Sequence, residues 1–364
     1  MKTLQISFMP YFLNIIWSFD PILFSIFGFQ ITWLAFLSVI GFGFGYLFLY
    51  YSYRREKKST KELELLTVYL LIFGFLGARI GYFINQSPIN FFSDLQETVN
   101  FSVGGFSSQG GILGILFGLI VYSFGKRNFW QIVDKVAVSG LIVAFFVNIG
   151  NFLSSNDFGS PTKSNLGIAF TEQTGSLLHE VLDKVSTSKV LADTIQKEET
   201  EFIPIKIEIS FIEEFNNRNE IETYLNTEVK QFLANQPNLY EPQQSNLKYQ
   251  IADQKKDNKI TAELSTFIIK NHPTQLYAAL FYLILFILFF NRYFKLSVGK
   301  TTSFLFILIF LYNSLSIYYF GSLENTSFIS SLINHAQWIN ISFILIGIIL
   351  FIKSLNQPSR VSYY

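Results

Sequence analysis

The chain has no cysteine among its 364 residues and only three histidines. That excludes a disulfide-stapled secreted domain, a thiol nucleophile and a Cys-ligated zinc site. Charge is scarce too: 15% of residues are Asp, Glu, Lys or Arg, against about 25% in ordinary soluble domains. A net charge of +1 leaves no electrostatic reason to expect nucleic-acid binding. The Gly-rich stretches lack the GxxxxGK spacing of a phosphate loop, so nucleotide binding has no support. What the chain has in excess is apolar surface. Half of it is hydrophobic, 18% is aromatic, and phenylalanine alone fills 42 positions, a composition that excludes disorder.

The scarcity of charge is uneven. Residues 150–271 hold 18 of the 26 acidic residues and 12 of the 27 basic ones. The other 242 residues hold 8 acids and 15 bases. One segment reads as mildly acidic and water-facing; the rest reads as lipid-embedded. A bilayer core of about 30 Å needs about 20 apolar residues per helix. Seven stretches qualify: 22–50, 64–85, 110–125, 131–150, 274–291, 301–320 and 336–354. GFGFGY (41–46) and GGILGILFG (110–118) carry the small residues that let membrane helices approach closely.

Lys and Arg next to the spans set orientation. RREKKSTK (54–61), GKR (125–127), NRYFK (291–295) with Lys300, and Lys353 with Arg360 all fall on one side if seven spans alternate. That side is the cytoplasm. The expected architecture is an α-helical integral membrane protein of about seven transmembrane helices in a bacterial inner membrane, N-terminus outside and C-terminus cytoplasmic. Four regions follow: an interfacial arm (1–20), spans one to four (21–160), an inserted periplasmic α+β domain (161–271), and spans five to seven with a cytoplasmic tail (272–364). Only Lys2 is basic near the start, and no small-residue cleavage site follows, so the arm does not read as a signal peptide. Within the inserted domain, helical periodicity covers 175–197 and 218–234. IPIKIEISF (203–211) alternates as a half-buried strand does, and 247–252 with 260–269 reads as a hairpin.

Polar residues at membrane depth are costly and mark function. Arg79 lies in GARIGYF (77–83). Gln109 precedes the glycines of span three, and Asp134 starts span four. Asn148, Asn151 and Asn156 cluster in VNIGNFLSSNDFG (147–159). His272, Gln275 and Tyr277 open span five in HPTQLYAAL (272–280). Asn313, Ser314 and Ser316 lie in span six, and Gln337 opens span seven. Most converge on the outer leaflet. His179 stands alone in LLHEVLDKV (177–185), and one histidine with no neighbouring ligand does not make a metal site.

DPILFSIFGFQITW (20–33), GARIGYF, GGFSSQGGILG (104–114), VNIGNFLSSNDFGSPT (147–162), HPTQLYAAL and HAQWINISFILIGIILF (335–351) occur in that order. Together they resemble the prolipoprotein diacylglyceryl transferase family over essentially the whole membrane part. The resemblance implies transfer of a diacylglyceryl group from phosphatidylglycerol to the lipobox cysteine of a prolipoprotein, with no cofactor. That reaction needs a base for the thiol proton and cations for the phosphate. The family supplies a His, two Arg and Glu residues.

Here those positions are replaced. The family's His falls on Gln109. The Arg of its R-x-G-N-F falls on Asn148, and the Glu that follows falls on Asn156. The Glu after H-P-x-Q-L-Y falls on Ala278, and the span-six Arg falls on Asn313 or Ser316. The tyrosine of the first span falls on Leu34. Residues 301–323 contain no Arg, Lys, Glu or Asp. Gly104, Gly110, Gly111, Asp134, Gly150, Asn151, Gly159, His272, Pro273, Gln275, Tyr277 and Arg79 match. The expected lipid- and substrate-binding set is Arg79, Gln109, Asn148, Asn151, Gly159, Gln275 and Tyr277, with His272 the fallback catalytic residue. The resemblance with these replacements implies a family member that no longer catalyses. It would bind a phosphatidylglycerol-like phospholipid or a lipoprotein signal segment, or engage an envelope protein through its outer domain. The competing expectation is an active transferase with relocated groups, His272 as base and Arg79 as phosphate cation. A transporter is disfavoured, because the spans carry few interior charges.

Overall fold

The computed structural model describes residues 15–26, 29–86, 105–124, 129–155, 159–171, 178, 181–192, 202–215, 217–235, 239–240, 247–254, 259–321 and 335–357. The expectations placed on Gly104, Asn156, His179 and Arg360, and on the side chains of Gln109, His335 and Gln337, lie outside what is described. In chain order the elements are β1 (Ile15–Trp17), β2 (Ile22–Ile26), β3 (Phe29–Thr32), α1 (Trp33–Arg55), α2 (Thr60–Gln86), α3 (Ser108–Ser123) and α4 (Phe129–Leu153). Then come β4 (Ile168–Phe170), β5 (Val185–Ala192), β6 (Phe202–Phe211), α5 (Arg218–Tyr224), a π turn (Leu225–Val229), α6 (Lys230–Asn235), β7 (Leu239–Tyr240), β8 (Lys248–Gln254) and β9 (Lys259–Ile269). The chain closes with α7 (Thr274–Arg292), a 3₁₀ turn (Tyr293–Lys295), α8 (Lys300–Phe320) and α9 (His335–Leu355).

Among the described residues, five helices are long and apolar enough to cross a membrane: Trp33–Arg55, Thr60–Ile84, Phe129–Leu153, Thr274–Lys295 and Lys300–Phe320. Two shorter apolar helices cover Gly110–Ser123 and Asn340–Leu355. Their outward faces carry exposed Val39, Leu113, Ile287, Ile349 and Ile352. So much uncovered aliphatic surface has a low free energy only in an apolar solvent.

Two expectations are corrected. The first span does not begin at residue 22: Ile22–Ile26 and Phe29–Thr32 form an antiparallel hairpin, and the helix starts at Trp33. A short apolar run rich in aromatic and β-branched residues fits a strand as well as a helix, and length does not decide between them. Residues 185–192 are not helical either. VSTSKVLA is an edge strand pairing with β6, as its Val and Thr residues favour. β6, β8, β9 and the 218–235 helical segment lie where the pattern places them, whereas β1, β4 and β7 were not expected.

The chain divides into two compact units. One comprises 1–37, 147–279 and 315–332; the other comprises 38–146, 280–314 and 333–364. In the first unit, β5, β6, β9 and β7 lie side by side, with β8 also pairing on β9. Ile203, Ile205, Ile207, Ile209, Leu264 and Ile268 form one buried face with Ile221, Leu225, Val229 and Leu233 from the helices. β1 pairs in parallel with β4, which ties the N-terminal arm into this unit.

In the second unit, α1 lies against α4 at two glycines. A Cβ on Gly45 would sit 2.8 Å from Ser139 Oγ, and one on Gly41 would sit 3.0 Å from Phe146 Cβ. α2 and α3 approach closest along Gly77, Gly81, Gly110 and Gly114, where backbone meets backbone. This is the small-residue packing that membrane helices use when the hydrophobic effect cannot drive association.

Candidate functional site

The first unit gathers the polar motif residues around the end of α4 and the start of α7. Asn148 and Asn151 are three residues apart, so they share a helix face, and both are half-buried. Gly150, between them, abuts α1: a Cβ there would lie 2.8 Å from Leu34 Cα. α4 then stops. Ser154 N bonds to Gly150 O at 3.0 Å and Ser155 N to Phe152 O at 3.1 Å, with Ser155 in the left-handed region at φ 55°.

The segment after α4 is sewn to the segment before α7. Gly159 N donates to His272 O (2.8 Å), His272 N to Ser160 O (3.1 Å), Thr162 N to Lys270 O (2.7 Å) and Ser160 N to Phe320 O (2.8 Å). Gly159 is required by this closeness. A Cβ would lie 2.6 Å from Thr274 Cγ2 and 2.7 Å from Phe320 O. Pro273 precedes the first residue of α7, where its fixed φ suits a helix start. Its carbonyl accepts from Leu276 N at 3.0 Å.

The His272 ring packs 4.8 Å from the Phe320 ring, and its Nδ1 lies 3.3 Å from the Tyr277 hydroxyl. Tyr277 also meets Phe320, at 5.2 Å. Burial lowers the His272 pKa from its ordinary value, so the ring is neutral at pH 7. Gln275 is buried and Ala278 half-buried. Gly159, His272, Tyr277 and Phe320 thus form one contact group.

Among the described residues of this unit, the buried polar atoms with no hydrogen-bond partner include Trp17 Nε1, Ser154 Oγ, Ser155 Oγ and Asn271 Oδ1. Asn271 is 3% exposed, and its backbone N and O are both bonded to Ile168. Buried polar groups without partners are rare, and each one calls for a water or a ligand. Trp17 belongs to the apolar cluster of Phe152, Ile168, Phe170 and Leu276. Sequence reasoning did not single out Ser154, Ser155 or Asn271. Ser154 and Ser155 stand inside the quoted motif and Asn271 directly precedes HPTQLY, so position alone was the available signal.

The second unit holds Arg79, Gln109, Asp134 and Asn313. Arg79 is 2% exposed on α2. Its Nη1 donates to Gly105 O at 3.2 Å, and its guanidinium lies 4.7 Å from the Phe83 ring and 5.8 Å from the Phe106 ring. Arg79 therefore holds the approach to α3, together with Ser107 N bonded to Ala78 O. Gln109 lies in the first turn of α3, whose N-cap Ser107 accepts from Gly110 N. Asn313 is half-buried on α8; Ser316, three residues on, falls in the first unit and is half-buried too.

Asp134 is fully buried and accepts from Gly299 N and Thr302 N at 2.7 Å and from Thr302 Oγ1 at 2.5 Å. It caps the start of α8 from another helix. Its neighbour Lys135, also fully buried, lies 2.5 Å from Glu56. Glu56 also faces Lys58 at 3.2 Å and the Tyr293 hydroxyl at 2.9 Å. Burial pushes the Glu56 carboxyl up, but Lys135, Lys58 and Tyr293 outweigh it and hold the group below its ordinary value. Among the described residues, no three His, Asp or Glu side chains are grouped to hold a metal ion.

Residues 21–353 match the family model described as prolipoprotein diacylglyceryl transferase. Relatives named phosphatidylglycerol–prolipoprotein diacylglyceryl transferase include one from Porphyromonas gingivalis, 31% identical over 159 residues (43% of this chain, 56% of the relative). Another from Rickettsia bellii is 32% identical over 165 residues (44% and 62%). One from Tolumonas auensis is 27% identical over 156 residues (42% and 60%). The matched part of the chain thus spans about 56–62% of these relatives' lengths.

Proposed function

Because the chain belongs to the prolipoprotein diacylglyceryl transferase family, we propose that it is a bacterial membrane protein that keeps the family's lipid-binding scaffold and has lost the reaction. The observation that carries this reading is the absence of charge at Gln109, Asn148, Asn156, Ala278 and Asn313 or Ser316. Amides and hydroxyls hydrogen-bond a headgroup, but they cannot serve as a base near pH 7 or neutralise a leaving phosphate. Removing one such group typically costs about 10²–10⁴-fold in rate. Losing several together is not additive, but it removes most of the catalysis.

The described end of the first unit supports the same reading. The motif side chains described there are neutral, namely Asn148, Asn151, Gln275, Tyr277 and a histidine whose pKa is lowered by burial, and buried Lys270 is the cation of that segment. The buried side-chain oxygens Ser154 Oγ, Ser155 Oγ and Asn271 Oδ1 lack hydrogen-bond partners, which suits a hydrated, uncharged polar ligand such as a glycerol headgroup. The relatives' names specify phosphatidylglycerol and prolipoprotein as substrates. On this reading the chain binds such a phospholipid, or a lipoprotein's signal segment. Its topology is seven spans, the two shorter apolar helices included, with the N-terminus outside. Residues 161–271 form the periplasmic domain, which offers a surface to an envelope protein.

The test is expression in cells depleted of their own transferase. The proposal expects no recovery of lipoprotein modification, while phospholipid co-purifies with the protein; restored modification overturns it. One observation favours the second reading, an active enzyme: His272 Nδ1 lies 3.3 Å from the Tyr277 hydroxyl, a neutral base beside a hydroxyl. If turnover is found, His272→Gln abolishing it would assign the base.

A further inference from the structure

Two short connections in the second unit meet at one corner. α1 ends at Arg55 and α2 begins at Thr60; α7 ends at Arg292 and, after the 3₁₀ turn, α8 begins at Lys300. All four helices are long and apolar enough to cross a membrane, so each connection lies at a bilayer surface. Ring contacts put both on the same surface. The Tyr51 ring stacks on Phe290 at 5.6 Å and meets Phe294 at 5.8 Å, and the Arg55 guanidinium lies 4.0 Å from the Phe294 ring.

Charge at this corner is of one sign. Arg54, Arg55, Lys57, Arg292 and Lys295 are exposed, and among the described residues none of them is in an ion pair. No acid occurs in 21–55 or in 264–323. The neighbouring Glu56 is already taken: Lys135 and Lys58 face it, and it accepts from the Tyr293 hydroxyl. Arg55 is held in one orientation. Its face is stacked on Phe294, and its Nη1 donates to the Tyr51 hydroxyl at 3.1 Å. The planar fork carries further N–H groups in the guanidinium plane, the geometry that grips two oxygens of one phosphate. One turn deeper the surface is apolar. Leu47 lies four residues before Tyr51 and Ile287 three before Phe290, so they share those residues' helix faces, and both are exposed.

We propose that this corner binds an anionic phospholipid. Arg55 takes the phosphate, Lys295 and Arg292 add positive potential, and one acyl chain lies along Tyr51, Leu47, Phe290 and Ile287. The arrangement selects the occupant. A cation fixed on an aromatic ring at the water boundary, with uncovered aliphatic side chains one turn deeper, fits a molecule that is phosphate at one end and hydrocarbon at the other. A soluble anion makes no use of the aliphatic strip. A zwitterionic lipid brings its own cation to a cluster that is already basic, so the net attraction is to anionic headgroups. None of these residues belongs to the first unit, so the site stands whether or not that unit binds lipid.

The test is photo-crosslinking of the full-length protein in phosphatidylcholine nanodiscs. The probes are phosphatidylglycerol and phosphatidylcholine, each with a diazirine near the headgroup end of one acyl chain and present in equal trace amounts. Mass spectrometry locates the adducts. The proposal expects phosphatidylglycerol adducts on 47–55 and 287–295 to exceed phosphatidylcholine adducts by at least about fivefold, the factor that one basic side chain contributes near an anionic headgroup. Arg55→Gln removes most of that excess, and Arg55→Lys, which keeps the charge without the fork, falls between. Adducts on 147–155 and 272–279 report on the first unit and stay unchanged in Arg55→Gln, which also shows that the variant is folded. The wild-type protein gives a second reading that needs no variant: the excess falls as salt is raised from about 0.05 M to about 0.5 M. Equal adducts for the two lipids at 47–55 and 287–295 overturn the proposal, as does an excess that Arg55→Gln or high salt leaves unchanged.

Discussion

Replacing Gly77 with alanine tests the account of helix packing most sharply. A Cβ on Gly77 would lie 2.6 Å from Gly114 Cα and would also meet Gly110 O; one on Gly110 would lie 2.8 Å from Gly81 Cα and meet Gly77 O. The obstructing atoms are backbone, so no rotamer change relieves the clash. Carbon contacts settle at about 3.5–4.0 Å, so α2 and α3 must part by roughly 1 Å, and a gap of that size forfeits about a quarter to a half of each dispersion contact along the seam. Overpacking of this kind costs about 1–3 kcal/mol, and the better helix propensity of alanine returns at most about 1 kcal/mol. The net expectation is a loss of about 1–2 kcal/mol for Gly77→Ala. Gly43 and Gly140 provide the control, because nothing lies within 4 Å of a Cβ at either. Gly43→Ala and Gly140→Ala are expected to be neutral or slightly stabilising. The assay is reversible unfolding in mixed micelles titrated with a denaturing detergent. The double variant Gly77→Ala/Gly110→Ala should cost less than the sum, since the gap opens once. A Gly77→Ala protein as stable as Gly43→Ala would refute the reasoning.

The same unfolding measurement checks three further expectations. Asp134→Ala strands two buried backbone N–H groups at the start of α8 and should cost about 3 kcal/mol or more; wild-type stability would contradict the cap. Lys135→Met leaves Glu56 buried without its closest cation and should cost about 3–5 kcal/mol, and adding Glu56→Gln should recover much of it. A double variant no better than the single one would remove that ion pair from the account. For His272, burial lowers the folded pKa below the unfolded value of about 6.5, so the unfolded chain binds more protons between the two. The stability from neutral His272 is fully present above about pH 6.5 and is lost as pH falls through the folded value. His272→Gln should flatten stability across that window, and an unchanged pH profile would show that the ring is not desolvated.

What could be read from the sequence was what depends on local pattern. Hydropathy located the helices at 60–84, 129–153, 274–295 and 300–320 within a few residues, and strict alternation located β6. The 22–32 hairpin and β5 were misread because a short apolar or β-branched run carries no period that separates strand from helix. The glycines of α2 and α3 could be read as packing residues, but not which glycine meets which, since that is a tertiary fact. At the candidate site, the quoted motifs led to Asn148, Asn151, His272 and Tyr277. The unpartnered Ser155 Oγ and Asn271 Oδ1 and the Phe320 ring against His272 were not legible, because the bonding of the 159–162 and 270–272 segments to each other is encoded by no spacing in the sequence. Asp134 was visible as a polar residue at a helix start. Its role as a cap reaching residues 299–302 was not, because its partners lie 165 and 168 positions away.

The central claim is that an uncharged polar site binds lipid without transferring it. The direct measurement incubates the purified full-length protein in phosphatidylglycerol nanodiscs with a prolipoprotein signal peptide bearing its lipobox cysteine, followed by mass spectrometry of peptide and protein. The account predicts a peptide of unchanged mass and phospholipid retained on the protein. A peptide heavier by one diacylglyceryl group, released with glycerol phosphate, would contradict it.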